Sequence, residues 1–447
     1  MDFEIDKQTR NDLEIFTASD SKRSLVNFFN KGVSVKSKEV LQSILMHPLS
    51  DKKPLTDRIE TITFFYNHKH LVDFLQLDRE KLDFIEYYLS WGAIPTRREQ
   101  RLVTLKKSIR AFFVQDATNY IHTRGITCLV ELLNNLQEFC RRIIDCNPNP
   151  YLREMVGKMQ MALSVKEISQ LLNKKQKGKM GPFERADNNY IFRYLRHEQI
   201  RYLLDRVYYL DVLIAVAHVA EEQSFCFPKL LPTSERVLKM TGLFHPYIDH
   251  PVTNDIHLSA GNNVIFLTGP NMAGKSTLLK SIGLAVYLAH IGFPVPASQM
   301  SFSLLSGMYT AINLADRLDL GYSHFFSEVQ RVKFVAERLK EKPDMLIIFD
   351  ELFRGTNVKD AYEGTSSIVS AFARTNASFH IVSTHIVEVA EVLQEANIQF
   401  LAMDTSRKDG IPVHSYKTKE GVSTERLGMH IIREEKILDV IAEIRHD

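Results

Sequence analysis

The sequence has few cysteines, and it lacks long apolar runs. Four of its 447 residues are cysteine (Cys128, Cys140, Cys146 and Cys226), and no two of them form a C-x-x-C pair. A zinc knuckle or a thioredoxin-like motif is therefore not expected. No run approaches the roughly 20 apolar residues of a membrane helix, and the first ten residues lack the apolar core of a signal peptide. We expect a cytoplasmic protein with reduced thiols that does not enter a membrane.

The chain also lacks a strong charge of either sign. Its 56 lysine and arginine residues nearly balance 54 aspartate and glutamate residues. A protein coated in positive charge, such as a histone or a polybasic membrane binder, is thereby excluded. A local basic face stays open, because the total charge says nothing about its distribution.

Glycine and proline are unevenly distributed, and this divides the chain into two parts. Between residues 96 and 177, Gly125 and Gly157 are the only glycines. Apolar residues there recur every three or four positions, so we predict a bundle of long helices over roughly 70–225. We interpret 174–189, with its Gly-Pro pair and polar content, as an exposed connection. From about Phe244 onward, short apolar runs at 264–269, 345–350 and 379–384 alternate with helical segments, which predicts a parallel sheet. The expected fold is a helical region followed by an α/β domain.

The strongest motif is GPNMAGKS at 269–276, which fits G-x-x-x-x-G-K-[ST]. It lies between an apolar strand and a helical run, where backbone N–H groups and the helix N-terminus can hold phosphate oxygens. Lys275 would reach the β- and γ-phosphates, and the Ser276 hydroxyl would bind Mg²⁺. The alternative is a chance glycine-rich turn. The predicted ATP-binding residues are Gly269, Pro270, Asn271, Met272, Ala273, Gly274, Lys275, Ser276 and Thr277.

Two further strand ends carry candidate catalytic groups. The run MLIIFDE ends with Asp350 and Glu351. Asp350 would hold Mg²⁺, and Glu351 would polarise the attacking water. The alternative is an acidic pair that starts a helix. The run FHIVSTH ends with His385, which is placed to sense the γ-phosphate or, alternatively, has a structural role.

These segments resemble the MutS family of DNA mismatch repair ATPases. TGPNMAGKST is similar to the family's Walker A segment, FDELFRGTNVKDA to its Walker B and D-loop, and STH at 383–385 to its switch. GYSHFFSEV at 321–329 resembles the signature that one MutS subunit presents to its partner's nucleotide. The resemblance therefore implies an ABC-type P-loop ATPase that works as a homodimer, with Ser323 acting in trans.

The resemblance extends more weakly to the first half of the chain. It implies the start of a MutS core domain at 1–70, a helical core and lever region at 71–235, and an ATPase domain with a dimerisation segment at 236–447. The core-like sequence begins at about residue 12, so we expect the mismatch-reading and connector domains to be absent and the clamp to be absent or reduced.

Basic stretches are the candidate contacts for duplex DNA. Residues 97–110 hold six basic residues and one acid, and residues 174–206 hold nine basic residues and four acids. Such runs could bind phosphates or could form a solvated helix face. The sequence predicts an ATPase, with ATP and Mg²⁺ as cofactors, that couples hydrolysis to DNA binding in repair. The alternative is an ATP-switched scaffold that acts on protein or RNA partners.

Overall fold

The structure, a computed structural model, describes residues 3–16, 23–95, 117–173, 180–312, 324–375, 377–408 and 411–423. The chain divides into two compact units. The sheet unit comprises Met1–Asn27, His47–Thr56 and Glu222–Asp447, and the helical unit comprises Phe28–Met46 and Asp57–Glu221. Within the described ranges, no helix is long and apolar enough to cross a membrane.

The helices of the described chain are numbered here in chain order. They are α1 (Lys7–Asp12), α2 (Leu25–Phe29), α3 (Val35–Met46), α4 (Lys52–Asn67), α5 (Val72–Leu75), α6 (Arg79–Ser90), α7 (Ala117–Asp145), α8 (Pro150–Leu163), α9 (Lys166–Asn173), α10 (Pro182–Tyr190), α11 (His197–Glu222), α12 (Lys275–Ile291), α13 (His324–Glu341) and α14 (Val358–Ala373). Short 3₁₀ turns cover Lys69–Leu71, Thr233–Glu235 and Val387–Glu391, and a π-helical turn covers Ile191–Leu195.

The strands are β1 (Lys229–Leu231), β2 (Val237–Leu243), β3 (Asn254–Ser259), β4 (Val264–Thr268), β5 (Gln299–Ser303), β6 (Gly307–Ala311), β7 (Met345–Asp350), β8 (Phe379–Thr384), β9 (Ile398–Lys408) and β10 (Ile411–Glu420). The three strands predicted from apolar runs are confirmed as β4, β7 and β8. Both helices and strands are therefore present, as the predicted fold class requires.

The helical unit is built around long amphipathic helices. Helix α7 spans 29 residues, and its buried side chains recur every three or four positions, at Leu129, Leu133, Leu136, Cys140 and Ile143. This spacing keeps one apolar stripe on one face of the helix, against which neighbouring helices pack. Burial of such a stripe is the main source of stability for a helix in water.

The predicted connection at 174–189 is wrong over its second half. Helix α10 begins at Pro182 with Gly181 as its N-cap residue, and Asn188 and Asn189 of this helix are buried. Proline is favoured in the first turn of a helix, because its missing N–H is one that the helix cannot use. The Gly-Pro pair therefore starts a helix here. Residues 174–179 lie outside the described chain.

The central sheet of the sheet unit has six strands in the order β10-β9-β4-β8-β7-β6. All neighbouring pairs are parallel except β9 and β10, which form an antiparallel pair. One face of this sheet forms an apolar cluster that joins Phe266 of β4 and Phe349 of β7 to Phe372 of α14. Because β4, β7 and β8 run parallel, their carboxyl ends meet at one edge of the sheet. A second sheet has four strands in the order β1-β5-β2-β3.

The first residues of the chain pack against strand β6. The backbone of Glu4 forms a parallel bridge to Gly307, with Glu4 N–H donating to the Ser306 carbonyl at 2.8 Å. Farther along, Asp12 accepts hydrogen bonds from the Thr310 hydroxyl at 2.6 Å and the Ile312 N–H at 3.0 Å. This N-terminal segment, residues 3–16, therefore covers part of a strand edge that would otherwise expose hydrogen-bonding groups.

His290 of helix α12 is fully buried and uncharged. Its Nδ1 lies 2.9 Å from the Val286 carbonyl, and its Nε2 lies 3.1 Å from the Leu305 N–H. Since a carbonyl only accepts and an N–H only donates, Nδ1 carries the proton and Nε2 accepts. Burial lowers the pKa of His290 to about 4. If the ring were protonated, its Nε2–H would face the Leu305 N–H, and two hydrogen-bond donors would point at each other.

Candidate functional site

The loop at residues 269–274 joins strand β4 to helix α12 at the carboxyl edge of the sheet. Gly274, the N-cap residue of α12, has a φ of 97°. Side chains rarely adopt that backbone conformation, and a Cβ at this position would lie 3.2 Å from the Tyr416 ring. Glycine is thus required for the chain to enter the helix at this angle. The turn leaves the first N–H groups of α12 at the sheet edge, where a helix N-terminus favours anions.

Lys275, the first residue of α12, turns its side chain back into this loop. The side chain is 4% exposed, and its Nζ donates to the Gly269 carbonyl at 2.8 Å and the Pro270 carbonyl at 3.2 Å. The same Nζ lies 3.7 Å from Glu351 Oε1. Burial lowers the pKa of Lys275, and the nearby carboxylates of Glu351 and Asp350 oppose this shift.

Asp350 is the last residue of β7, and each of its carboxylate oxygens accepts a hydroxyl hydrogen bond. Ser276 of α12 donates to one oxygen, and Ser383 of β8 donates to the other. Residues 350 and 383 are register partners in the parallel β7–β8 pair. The geometry therefore brings a serine of the loop–helix junction and a carboxylate of a different strand into direct contact.

Glu351 follows directly and turns away from the strand, with a φ of 54°. Its N–H donates to the Ser383 carbonyl at 3.0 Å. Its carboxylate is 20% exposed and lies between Lys275 and His385, whose Nδ1 is 4.0 Å from Glu351 Oε1. The imidazole of His385 is half-exposed. Glu351 is thus held between a buried cation and a solvent-facing ring.

A cavity of about 740 Å³ opens beside these residues in the sheet unit. This volume falls in the range of small-molecule binding sites. Its wall includes Pro270, Asn271, Met272, Gly274, Lys275, Ser276, Thr277, Leu278 and Ser281 from the loop and helix, and Leu243, Phe244, His245, Ile248, Asp249, His250, Pro251, Val252, Asn254, Glu351, Arg354, Met403 and Tyr416 from other elements.

Most of the residues proposed from sequence therefore converge around one cavity. Gly269 and Ala273 belong to the loop but do not line the cavity. Asp350 does not line it either, but it accepts a hydrogen bond from Ser276, which does. His385 does not line the cavity, but its Nδ1 lies 4.0 Å from Oε1 of Glu351, which does. Ser323 lies outside the described residues, as does the basic stretch at 97–110.

Part of the second basic stretch is already engaged inside the helical unit. The Arg193 guanidinium is buried and donates to the Trp91 carbonyl. Arg196 pairs with Glu167 at 2.8 Å, and Arg201 pairs with Glu86 at 2.7 Å. For these three arginines the structure supports intramolecular contacts rather than a free basic face.

Sequence reasoning missed several residues of the site. Tyr416, from the β9–β10 hairpin, reaches the wall of the cavity through an irregularity in strand register, which no local motif indicates. Ser383 contacts Asp350 only because β7 and β8 are neighbours in the sheet. Arg354 lies in a segment noted only for its family resemblance. Ser383 lies in the STH segment that resembles the family's switch, but only the strand order indicates its contact with Asp350.

These features define a mixed α/β domain with a cavity at the carboxyl edge of its parallel strands, which is where open α/β sheets generally bind ligands. Residues 265–446 match the MutS domain V family. The sheet unit therefore contains a region that matches MutS domain V, as the resemblance of its motifs implied.

The curated proteins similar to this chain carry MutS names. The MutS protein homolog 4 of Mus musculus is 31% identical over 236 residues, which are 50% of this chain and 24% of that protein. The DNA mismatch repair protein MutS of Prochlorococcus marinus is 31% identical over 210 residues, or 44% of this chain and 23% of that protein. The protein of the same name from Brevibacillus brevis is 29% identical over 241 residues, or 52% and 28%. The match spans about a quarter of the length of these relatives.

Proposed function

We propose that this chain binds ATP in the cavity of the sheet unit, hydrolyses it with Mg²⁺, and couples this cycle to duplex DNA binding in repair. One observation carries the proposal. The glycine loop after β4, with Lys275 and Ser276, lies in direct contact with the acidic end of β7, at Asp350 and Glu351, although β8 separates the two strands in the sheet. If the glycine loop were a chance turn and the acidic pair only the start of a helix, this contact between them would not be expected.

The loop and the start of α12 would bind the phosphates of ATP. Free N–H groups at the helix N-terminus and the Lys275 ammonium supply positive charge at one place. In the structure this ammonium donates to the Gly269 and Pro270 carbonyls, so it is already held beside the loop. Phosphate oxygens would take over hydrogen bonds that these carbonyls now accept.

Ser276 and Asp350 fit a Mg²⁺ site. A hydroxyl and a carboxylate, both oxygen ligands, are within hydrogen-bond contact of each other. No three His, Cys, Asp or Glu side chains of the described chain form a metal cluster. Mg²⁺ does not require one, because it retains waters and phosphate oxygens beside one or two carboxylates. When bound, Mg²⁺ would neutralise charge that develops on the phosphates.

Glu351 would orient and polarise the attacking water. Its carboxylate faces the cavity, and Lys275 fixes one of its oxygens on the side of the phosphate loop. His385, at 4.0 Å on the open side, would respond to the γ-phosphate through Glu351. General-base assistance of this kind contributes roughly 10²- to 10⁴-fold to a rate.

A homodimer through the ATPase domains would complete the site, with Ser323 of one subunit donating to the γ-phosphate held by the other. The relatives named above are called mismatch repair or MutS proteins, and this supports duplex DNA as the partner. Cytoplasmic location stays a prediction.

The test begins with phosphate release from ATP by the purified chain in the presence of Mg²⁺. We expect Glu351→Gln to retain ATP affinity within a few-fold and to lose at least about 100-fold of the hydrolysis rate. Glu363→Gln is the matched control, because this glutamate is exposed on α14 and pairs only loosely with Lys359 at 3.9 Å. Hydrolysis by Glu351→Gln within a few-fold of wild type would remove Glu351 as the base.

Gel-shift titration against homoduplex, mismatched and branched DNA, with and without ATP, tests the second half of the proposal. We expect DNA affinity that changes with ATP and with Glu351→Gln. An active ATPase with no affinity for any of these DNAs would instead favour a scaffold that acts on protein or RNA partners.

A further inference from the structure

The loop that follows β7 has an unusual backbone. Glu351 has a φ of 54° and Phe353 a φ of 62°, so two non-glycine residues within three positions are left-handed. Side chains rarely adopt this conformation, and it persists only where the surrounding structure holds it. The loop also brings two side chains to the cavity wall, those of Glu351 and Arg354. What holds this backbone therefore sets the position of the proposed base.

Helix α13 supplies one such support. Glu328 of α13 is 4% exposed, and its two carboxylate oxygens accept hydrogen bonds from the Arg354 and Gly355 N–H groups, each at 3.3 Å. A buried carboxylate in contact with successive backbone N–H groups fixes the direction of the chain as well as its position. These contacts begin three residues after Glu351, at the far end of the left-handed turn.

The ring of Phe353, which belongs to this loop, packs between helices α13 and α14. Phe325, about one turn before Glu328 on α13, packs edge-on against Phe353 with ring centroids 5.7 Å apart. On α14, Gly364 leaves room for the Phe353 ring, since a Cβ there would lie 2.8 Å from it. The loop is thus fixed between α13 and α14.

We propose that Glu328 is a positioning residue for hydrolysis. It ties α13 to the loop after β7 and so holds Glu351 in the left-handed conformation that faces the cavity. This role rests on the proposed function. It predicts that a change at Glu328 alters the rate of hydrolysis far more than the affinity for ATP, because Glu328 binds the loop after β7 and does not line the cavity.

The experiment compares Glu328→Gln and Glu328→Asp with the wild-type chain. Glutamine presents an N–H₂ group to one of the two backbone donors, and aspartate is too short to reach both. The matched control is Glu337→Gln on the same helix, where the side chain is 66% exposed. For both Glu328 variants we expect kcat to fall at least tenfold while the Kd for ATP stays within threefold. The control should match wild type in both quantities.

Hydrogen exchange of the peptide that contains residues 352–357 provides a readout independent of catalysis. We expect slow exchange of the Arg354 and Gly355 amides in wild type and faster exchange in both Glu328 variants. Wild-type kcat in both variants would overturn the proposal. A parallel loss of kcat, ATP affinity and global exchange protection would also overturn it, since Glu328 would then act only in stability.

Failure of the proposed function and failure of the positioning role give different results. A wild-type chain that hydrolyses no ATP removes the proposed function and the role of Glu328 with it. A wild-type chain that hydrolyses ATP but exchanges the Arg354 and Gly355 amides rapidly keeps the function and removes only the positioning role.

Discussion

Replacement of Lys275 by alanine is the sharpest single test of the phosphate loop. The change removes an ammonium that is almost fully buried and donates to the Gly269 and Pro270 carbonyls. Both carbonyls belong to a loop beside an open cavity, so water can replace the lost donors in the variant. Glu351 loses a cation 3.7 Å away but keeps 20% exposure to solvent. We therefore expect the variant to fold.

The expected loss of ATP affinity follows from the contacts that the ammonium would make. Hydrogen bonds to charged groups contribute about 1.5–3 kcal/mol each. Two such bonds, one to each terminal phosphate, correspond to about 3–6 kcal/mol, or an affinity reduced roughly 100-fold to 10,000-fold. Burial already lowers the pKa of Lys275, so the folded chain holds this charge at a cost that a bound polyanion would relieve.

Equilibrium titration with a fluorescent ATP analogue, with and without Mg²⁺, measures this loss directly. The matched control is Lys280→Ala, on the same helix, since Lys280 pairs with Glu14 at 3.0 Å and does not line the cavity. It should bind within about threefold of wild type. If Lys275→Ala bound as tightly as this control while circular dichroism showed it folded, the loop would not be the nucleotide site.

Two further predictions concern the metal site and pH. Ser383→Ala removes the hydroxyl that donates to Asp350, and supporting contacts of this kind typically change metal affinity 10- to 100-fold. We expect the Mg²⁺ concentration for half-maximal hydrolysis to rise about tenfold, and an unchanged Mg²⁺ titration would contradict this role. In the folded chain the pKa of His290 is lowered to about 4. As the pH falls, the histidine of the unfolded chain, with its ordinary pKa, is therefore protonated first. The contribution of His290 to stability is therefore present above about pH 6.5 and is lost toward pH 4, by up to about 1.4 kcal/mol per pH unit. In urea denaturation at several pH values, His290→Gln should flatten this decline, and an equally steep decline in the variant would refute the assignment.

The sequence predicted those parts of the fold that local pattern determines. Continuous apolar runs identified β4, β7 and β8, because strands buried on both faces leave such a run. Strands β2, β3 and β5 are partly exposed, and their buried residues alternate with more exposed ones, so they lack that continuous apolar run. The Gly181–Pro182 pair is ambiguous in sequence, because glycine and proline mark both turns and helix starts.

The residues of the site likewise divide into those that local motifs predict and those that depend on contacts between distant segments. Residues within the glycine loop and at the end of β7 were proposed from their motifs, and the structure brings them together. Tyr416 and Ser383 depend on hairpin irregularity and strand order, and Glu328 depends on the packing of α13 against a loop. These contacts join residues far apart in the chain, and no local pattern encodes them.

The N-terminal segment has a consequence for synthesis of the chain. Asp6 pairs with Arg331, 325 residues later, and Asp12 binds Thr310. At about 5–20 residues per second, the ribosome needs roughly 15–65 s to deliver Arg331 after Asp6. When Arg331 is added, the helical unit is complete in sequence, whereas strands β7 to β10 of the sheet unit are still to be made. A fragment that starts at residue 222 would leave the edge of β6 uncovered and, as an open strand edge, prone to aggregation. Expression of this fragment therefore requires residues 3–16 to be supplied, either joined to it or as a separate peptide.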